Sequence, residues 1–139
     1  HLIPLMLDAI DGKRDALTIF GTDYDTPDGT CIRDYVHICD LVDAHVLGIK
    51  WLEEGKGNQI FNLGTGTGFS VREVIDASAN VTNRVVPVAE GGRRPGDCTK
   101  LVSGSERASR DLGWQPSRSD MKTMIADAWR WHQSGHYDR

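Results

Sequence analysis

Residues 26–40 read TPDGTCIRDYVHICD, and three kinds of local order meet in them. Pro27, Asp28 and Gly29 belong to a turn-rich loop running from Thr22 to Thr30, built from residues that favour turns for separate reasons. Residues 32–38 alternate well enough to predict an extended segment, which sets Arg33 and Tyr35 beside each other. Asp40 is the expected N-cap of a helix over roughly 41–54, with Asp43 in the first turn, where the helix dipole favours acids. That helix carries apolar residues at 41, 42, 44, 46, 47, 49, 51 and 52, too wide an arc for one core face. A helix of that kind wants partners on two sides.

Working outward, residues 92–97 read GRRPGD, a loop stiffened by Pro95 and loosened by Gly96. Arg33 and the Arg93–Arg94 pair are therefore two separate arginine sites on a chain of net charge −4. Two guanidinium sites suit a doubly charged ligand such as a pyrophosphate, because each offers a planar fork of donors that stays charged. The competing reading is a set of surface ion pairs, each contributing about 0–1 kcal/mol. Residue chemistry alone leaves both open.

The remaining elements alternate helix with short strand. Residues 2–11 form an apolar helix that tolerates Pro4 in its first turn and is closed by Gly12. LTIF at 17–20 is a strand ended by Gly21. Residues 59–63 read as a buried strand and 70–79 as a helix opened by a Ser70–Glu73 capping box. Residues 85–89 and 101–102 read as strands, 105–112 as a helix stopped by Gly113. Met121, Met124, Ile125, Ala128 and Trp129 mark a last amphipathic helix. No repeat or internal boundary is visible, so residues 1–139 read as one unit. Trp114, Trp129 and Trp131 read as packing, and His37, His45 and His132 as structural or solvent-facing.

Composition excludes several classes. With 16 basic against 20 acidic residues, a general nucleic-acid role is set aside, because phosphate-backbone binding wants a basic surface. No apolar run reaches the length of about 18 residues that spans a membrane, and no secretory leader is expected. Cys31, Cys39 and Cys98 are odd in number, without C-x-x-C spacing, so neither a metal site nor a disulfide framework is expected. Reduced thiols in a cytoplasmic compartment are the simplest reading. The loop Gly64-x-Gly66-x-Gly68, between a strand and a capped helix, imitates a dinucleotide-binding turn. The G-x-G-x-x-G fingerprint, however, needs glycine where Phe69 stands, so a tight strand-to-helix connection is the better account.

TPDGTCIRDY, FNLGTGTGFSVREVI, RRPGD and LGWQP, in order along nearly the whole chain, resemble the C-terminal portion of the UDP-glucose 4-epimerase family. Those enzymes are NAD-dependent isomerases of the extended short-chain dehydrogenase/reductase superfamily. The resemblance implies an α/β fold: the C-terminal UDP-sugar-binding portion, without the N-terminal Rossmann half. The family's Tyr-x-x-x-Lys pair does not occur: the fourth residue after Tyr24 is Asp28, after Tyr35 it is Cys39, and Tyr137 has none. No catalytic residue is therefore expected here, the chain alone is expected to be inactive, and NAD is expected to bind the missing Rossmann domain. A homodimer of the intact enzyme is a further expectation.

Carried over residue by residue, the resemblance implies that Arg33 and Arg94 pair with the two phosphates and Asp97 accepts from a ribose hydroxyl. Tyr35 would lie against the phosphate–ribose region. The backbone around Thr18 and Phe20 would read the uracil edge, with the Phe20 ring beside the base, and Leu2 would offer a backbone N–H. Leu101, where the family often has an aromatic residue, is set aside as peripheral. On pattern alone Phe20 and Leu2 also fit core positions, Tyr35 a half-buried strand, and Asp97 a turn-closing residue. Two other functions stay open: a sibling 4-epimerase of UDP-xylose, UDP-N-acetylglucosamine or UDP-glucuronate, and a nucleotide-binding module without catalysis.

Overall fold

The computed structural model describes residues 1–135; Tyr137 lies outside them. The elements run α1 (Leu2–Ile10), β1 (Leu17–Phe20), β2 (Ile32–Arg33), α2 (Ile38–Glu53), β3 (Phe69–Ser70) and α3 (Val71–Thr82). They continue with β4 (Val88–Gly91), β5 (Lys100–Leu101), a π-helical turn (Ala108–Leu112) and α4 (Met121–Gln133). β1 pairs in parallel with β4, and β2 lies between antiparallel β3 and parallel β5. The chain is thus α/β, with helices and very short strands interleaved.

Apolar periodicity sorts the helices onto two cores. Met6, Leu7 and Ile10 of α1 meet Leu17, Val74, Val86, Met121, Met124 and Ile125, so α1, α3 and α4 close around β1. Burying a side chain of this size contributes about 1.5–3 kcal/mol. A smaller cluster joins Ala44 of α2 to Ala108 and Trp114, with Leu47, Phe61 and Leu112 around them. The start of α3 follows the sequence: the Glu73 N–H donates to Ser70 Oγ at 3.0 Å and the Ser70 N–H to Glu73 Oε2 at 2.7 Å. Asp28, expected as a turn residue, also accepts from the Ser70 hydroxyl, tying the 22–30 loop to that cap.

Several expectations are corrected. The extended segment forms a strand only over Ile32–Arg33, and α2 starts early, at Ile38. His37, not Asp40, is its N-cap, with Nδ1 accepting from the Cys39 N–H at 3.0 Å. Histidine is no customary cap, so the sequence hid it. Residues 59–63 form no strand, and Ile60 is 79% exposed, because among the described residues no strand lies alongside to pair with them. Trp131 faces solvent rather than packing, whereas Trp114 is fully buried. The strand expected at 85–89 lies at Val88–Gly91, where its register with β1 places it.

Asp40 has a different task from the one its sequence suggests. Its side chain, 1% exposed, accepts from the N–H groups of Ser117 and Arg118 at 3.1 and 3.0 Å and from the Ser119 hydroxyl at 2.5 Å. Its carbonyl accepts from the Trp114 indole N–H at 2.8 Å. One residue therefore ties α2 to the 114–119 loop. Burial pushes the carboxyl's pKa up, but the Ser119, Arg118 and Ser117 donors outweigh it and hold the pKa below the ordinary value. On its other side α2 presents Ile38, Val42, Val46, Ile49 and Leu52, each 46–66% exposed, at the three-and-four spacing of a packing stripe.

Asp40→Ala leaves buried donors without an acceptor, so it should cost about 3 kcal/mol of stability in urea denaturation. A carboxyl with a depressed folded pKa stabilises above its unfolded value of 3.8, and that contribution disappears as pH falls through the lower folded value. Asp40→Ala should accordingly flatten the acid limb of the stability profile.

Candidate functional site

The loop at 94–97 is a tight turn. Asp97 N–H donates to the Arg94 carbonyl at 3.2 Å, with Pro95 second and Gly96 third at φ +83°, the type II pattern that glycine allows. Arg94 and Asp97 thereby stand at the two ends of one turn, and Arg94 Nε donates to Asp97 Oδ2 at 3.0 Å. Arg33 arrives from β2, 64 residues away in sequence, and its Nη2 donates to Asp97 Oδ1 at 3.4 Å. Its Nη1 is anchored by the carbonyls of Cys98 at 2.8 Å and Ile32 at 2.9 Å. A single carboxylate thus lies between two guanidinium groups.

Phe20 completes the group. It ends β1, is 40% exposed, and its ring lies 4.7 Å below the Arg94 guanidinium, so it is no core residue. The N–H groups of Leu17 and Gly21 donate to Pro87 and Gly91 of the β4 segment. Backbone groups alternate along a strand, so Thr18 and Phe20 turn theirs to the edge away from β4. That edge can hydrogen-bond the rim of a flat heterocycle.

Leu2 and Tyr35 lie at the larger core. Leu2 opens α1 and packs against the larger core, while its N–H is one of the helix's free N-terminal donors. Tyr35 also packs on that core, and burial, with Cys31 adding and Arg33 opposing, pushes its hydroxyl up to about 12. It stays a neutral phenol at working pH. Arg93, beside Arg94 in sequence, points elsewhere: its Nε donates to Asp23 Oδ1 at 2.7 Å and its guanidinium lies over the Tyr24 ring at 4.3 Å. It fastens the phosphate-loop candidate to the 22–30 loop.

The glycine loop holds an anion of the chain's own. Asp34 accepts from Thr65 N–H at 3.0 Å, Thr65 Oγ1 at 2.6 Å, and the N–H groups of Gly66 and Ser103 at 3.2 Å. Burial pushes this carboxyl up, but the Thr65, Gly66 and Ser103 donors prevail and hold it below its ordinary pKa. The donors a dinucleotide phosphate would need are spent, so this loop does not fit NAD. Sequence reasoning missed Asp34, whose partners lie 31 and 69 residues away. It also set Leu101 aside, yet the parallel register puts Leu101 directly opposite Arg33. Beside them a cleft of about 360 Å³ opens between Leu63, Leu101 and Val102. Among the described residues no cluster of His, Cys, Asp or Glu could hold a metal ion, and no helix is long and apolar enough to cross a membrane.

Known proteins resemble this chain in sequence and fold. A family model described as NAD dependent epimerase/dehydratase family matches residues 1–64. The UDP-glucose 4-epimerase of Streptococcus mutans serotype c is 45% identical over 142 residues, covering all of this chain and 43% of that protein. The chain matches the C-terminal part of the UDP-glucose 4-epimerases. A crystal structure of a UDP-glucose 4-epimerase superposes with TM-score 0.92 at 51% identity, over 96% of this chain and 40% of that one. The Bifidobacterium longum enzyme, solved with NAD+ and UDP, superposes with TM-score 0.88 at 34% identity, over 99% and 40%. The chain spans about 40% of the length of the relatives it matches.

Gly64 is the tightest point of the Asp34 latch. A Cβ there would stand 2.4 Å from the Ser103 carbonyl oxygen and 2.6 Å from Asp34 Oδ2. Gly64→Ala should therefore cost about 2 kcal/mol or more, the scale of an overpacked site, with Gly66→Ala strained by its φ rather than by crowding. Thermal unfolding of the two variants checks this, with carboxyl NMR expected to show the Asp34 titration shifted in Gly64→Ala, where the new methyl meets Asp34 Oδ2.

Proposed function

We propose that this chain is the nucleotide-gripping portion of a UDP-glucose 4-epimerase, interconverting UDP-glucose and UDP-galactose through a transient 4-keto sugar in the intact enzyme. The observation that supports it is the convergence of Arg33 and Arg94 on one anion beside Phe20 and the open edge of β1. Guanidiniums from two strands of sequence suit a diphosphate, the free backbone edge suits uracil, and the Phe20 ring suits its face. NAD supplies the hydride exchange of such a reaction, and its site belongs to the remainder of the protein, because the glycine loop here is filled by Asp34. The present residues hold the substrate by its nucleotide end and leave the sugar to groups elsewhere. Because that end is common to all UDP-sugars, the anchor by itself is indifferent to the hexose.

Such an anchor binds ground and transition states alike, so it lowers KM without supplying chemistry. Each charge-assisted hydrogen bond contributes about 1.5–3 kcal/mol. In the whole protein, Arg33→Ala and Arg94→Ala should each weaken UDP binding by about 10- to 100-fold, with NAD retention changed less than about twofold. Isothermal calorimetry with UDP and NAD separates the two. Equal losses of both ligands, or none, sink the reading.

The exposed stripe on α2 and the unpaired 59–63 segment support a second partner, a Rossmann portion of the longer protein. Aliphatic side chains in a continuous row are an exposed patch that a folded protein covers. We place that portion over Val42, Val46 and Ile49, with a strand alongside Ile60. The chain alone is then inactive, and its three free cysteines suit a cytoplasmic enzyme. Expressed by itself it should bind an apolar-surface dye and aggregate. A sharp cooperative unfolding transition without dye binding contradicts this placement.

A further inference from the structure

Two consecutive arginines grip two consecutive residues at the end of β1. Arg94 lies on the Phe20 ring. The stem of Arg93 passes over Gly21, where a Cβ would stand 2.7 Å from Arg93 Cγ and 2.6 Å from Tyr24 Cε2. Gly21, at φ +86°, leaves that passage open, and its N–H donates to the Gly91 carbonyl at 2.9 Å. Arg93 then ends on the 22–30 loop. Its Nε donates to Asp23 Oδ1 at 2.7 Å, its Nη2 donates to the Asp23 carbonyl, and its guanidinium covers the Tyr24 ring.

Arg93 spends its donors on Asp23, yet its grip decides where Arg94 stands. Among the described residues Asp97 engages Arg94 through Nε alone, at 3.0 Å, and the Arg94 side chain is 58% exposed. Both Nη groups of Arg94 are left to a phosphate, but little in its own contacts fixes the direction of that fork. The fixed point is one residue back. Tyr24 is buried, its N–H donates to the Gly29 carbonyl at 2.9 Å, and Asp28 of the same loop accepts from the Ser70 hydroxyl at the cap of α3. With Arg93 seated on that platform, the backbone between the two arginines presents Arg94 toward Phe20. The Arg93–Asp23 ion pair is exposed on both sides and weak as a pair. Shape makes it a fastening: a planar fork spans a carboxylate and a carbonyl and covers a ring, which a lysine cannot reproduce.

Resting on the UDP reading above, we propose that Arg93 is a positioning residue that joins the base-reading end of β1 to the diphosphate turn. Arg94 meets the phosphates only while Arg93 holds Asp23 and Tyr24, so base and diphosphate are held at one fixed separation. Arg33 needs no such help, because the Cys98 and Ile32 carbonyls aim its guanidinium directly. Loss of Arg93 therefore silences Arg94 and spares Arg33. Because the anchor binds ground and transition states alike, the loss falls on KM and leaves kcat.

The test measures KM and kcat for UDP-glucose in the whole protein with NAD bound, as wild type, Arg93→Ala, Arg93→Lys and Asp23→Ala. Arg93→Ala is repeated on Arg94→Ala and Arg33→Ala backgrounds. Arg93→Ala should raise KM about 5- to 10-fold with kcat within about twofold. Arg93→Lys should resemble Arg93→Ala although the charge is kept. On the Arg94→Ala background the further loss of Arg93 should change KM less than about twofold, whereas on the Arg33→Ala background the full effect should remain. Equal effects on both backgrounds mark general loosening, and a wild-type KM in Arg93→Lys marks net charge. Either result overturns the inference, as does an unchanged KM in Arg93→Ala, and the UDP reading stands while Arg33→Ala and Arg94→Ala still raise KM. If neither raises it, the UDP reading falls and takes the inference with it. Asp23 is exposed, so Asp23→Ala gives an independent arm should the Arg93 variants misfold. It should raise KM at least about threefold, and an unchanged KM there overturns the proposal.

Discussion

A carboxylate clamped between two guanidinium groups organises the functional end of this chain. Asp97 draws Arg33 from β2 and Arg94 from its own turn to one point, against electrostatic repulsion that would otherwise hold two cations apart. Everything nearby serves that meeting. The Arg33 fork is aimed by two backbone carbonyls, the turn is set by Pro95 and Gly96, and Arg93 ties the turn to the loop preceding β2. The fold supplies the frame: β1 is fixed by the α1, α3 and α4 core, and Phe20 at its end extends under Arg94.

Two buried or half-buried carboxylates carry the rest of the frame, and neither touches a guanidinium. Asp34 binds the glycine loop and Ser103 to the strand bearing Arg33, and Asp40 binds α2 to the loop before α4. Both gather neutral N–H and O–H donors rather than cations. Such donors lower a carboxyl's pKa as effectively as a salt bridge but leave no net attraction for outside anions. The chain thus separates its structural acids, satisfied by dipoles, from the one acid that faces the arginines.

The sequence was most legible where chemistry is local. Ser70 and Glu73 announce a capping box, Gly113 a helix stop, and Pro95–Gly96 a turn, and each forms as read. The helical periodicities of α1 and α4 are read correctly because each presents a clean apolar stripe to one core. Legibility failed where the deciding partner is distant. Residues 59–63 have strand-forming side chains but no neighbour here to pair with. Asp40 resembles a cap until Ser117 and Ser119 are brought to it from more than 70 residues away. His37 is a cap no rule would select.

Among the site residues, Arg33, Arg94, Asp97 and Phe20 were named from sequence and lie together, while adjacency misled elsewhere. Arg93 and Arg94 are neighbours with different partners, because the loop turns between their side chains. Arg33 and Leu101 are distant in sequence and face one another across β2 and β5. The glycine loop imitates a phosphate cradle in spacing alone, and the anion it holds is Asp34. A structure of the whole protein with UDP bound is the most direct measurement. The diphosphate oxygens should lie about 2.7–3.0 Å from the guanidinium nitrogens of both Arg33 and Arg94. A diphosphate that meets neither arginine, with Asp97 still between them, would contradict the assignment.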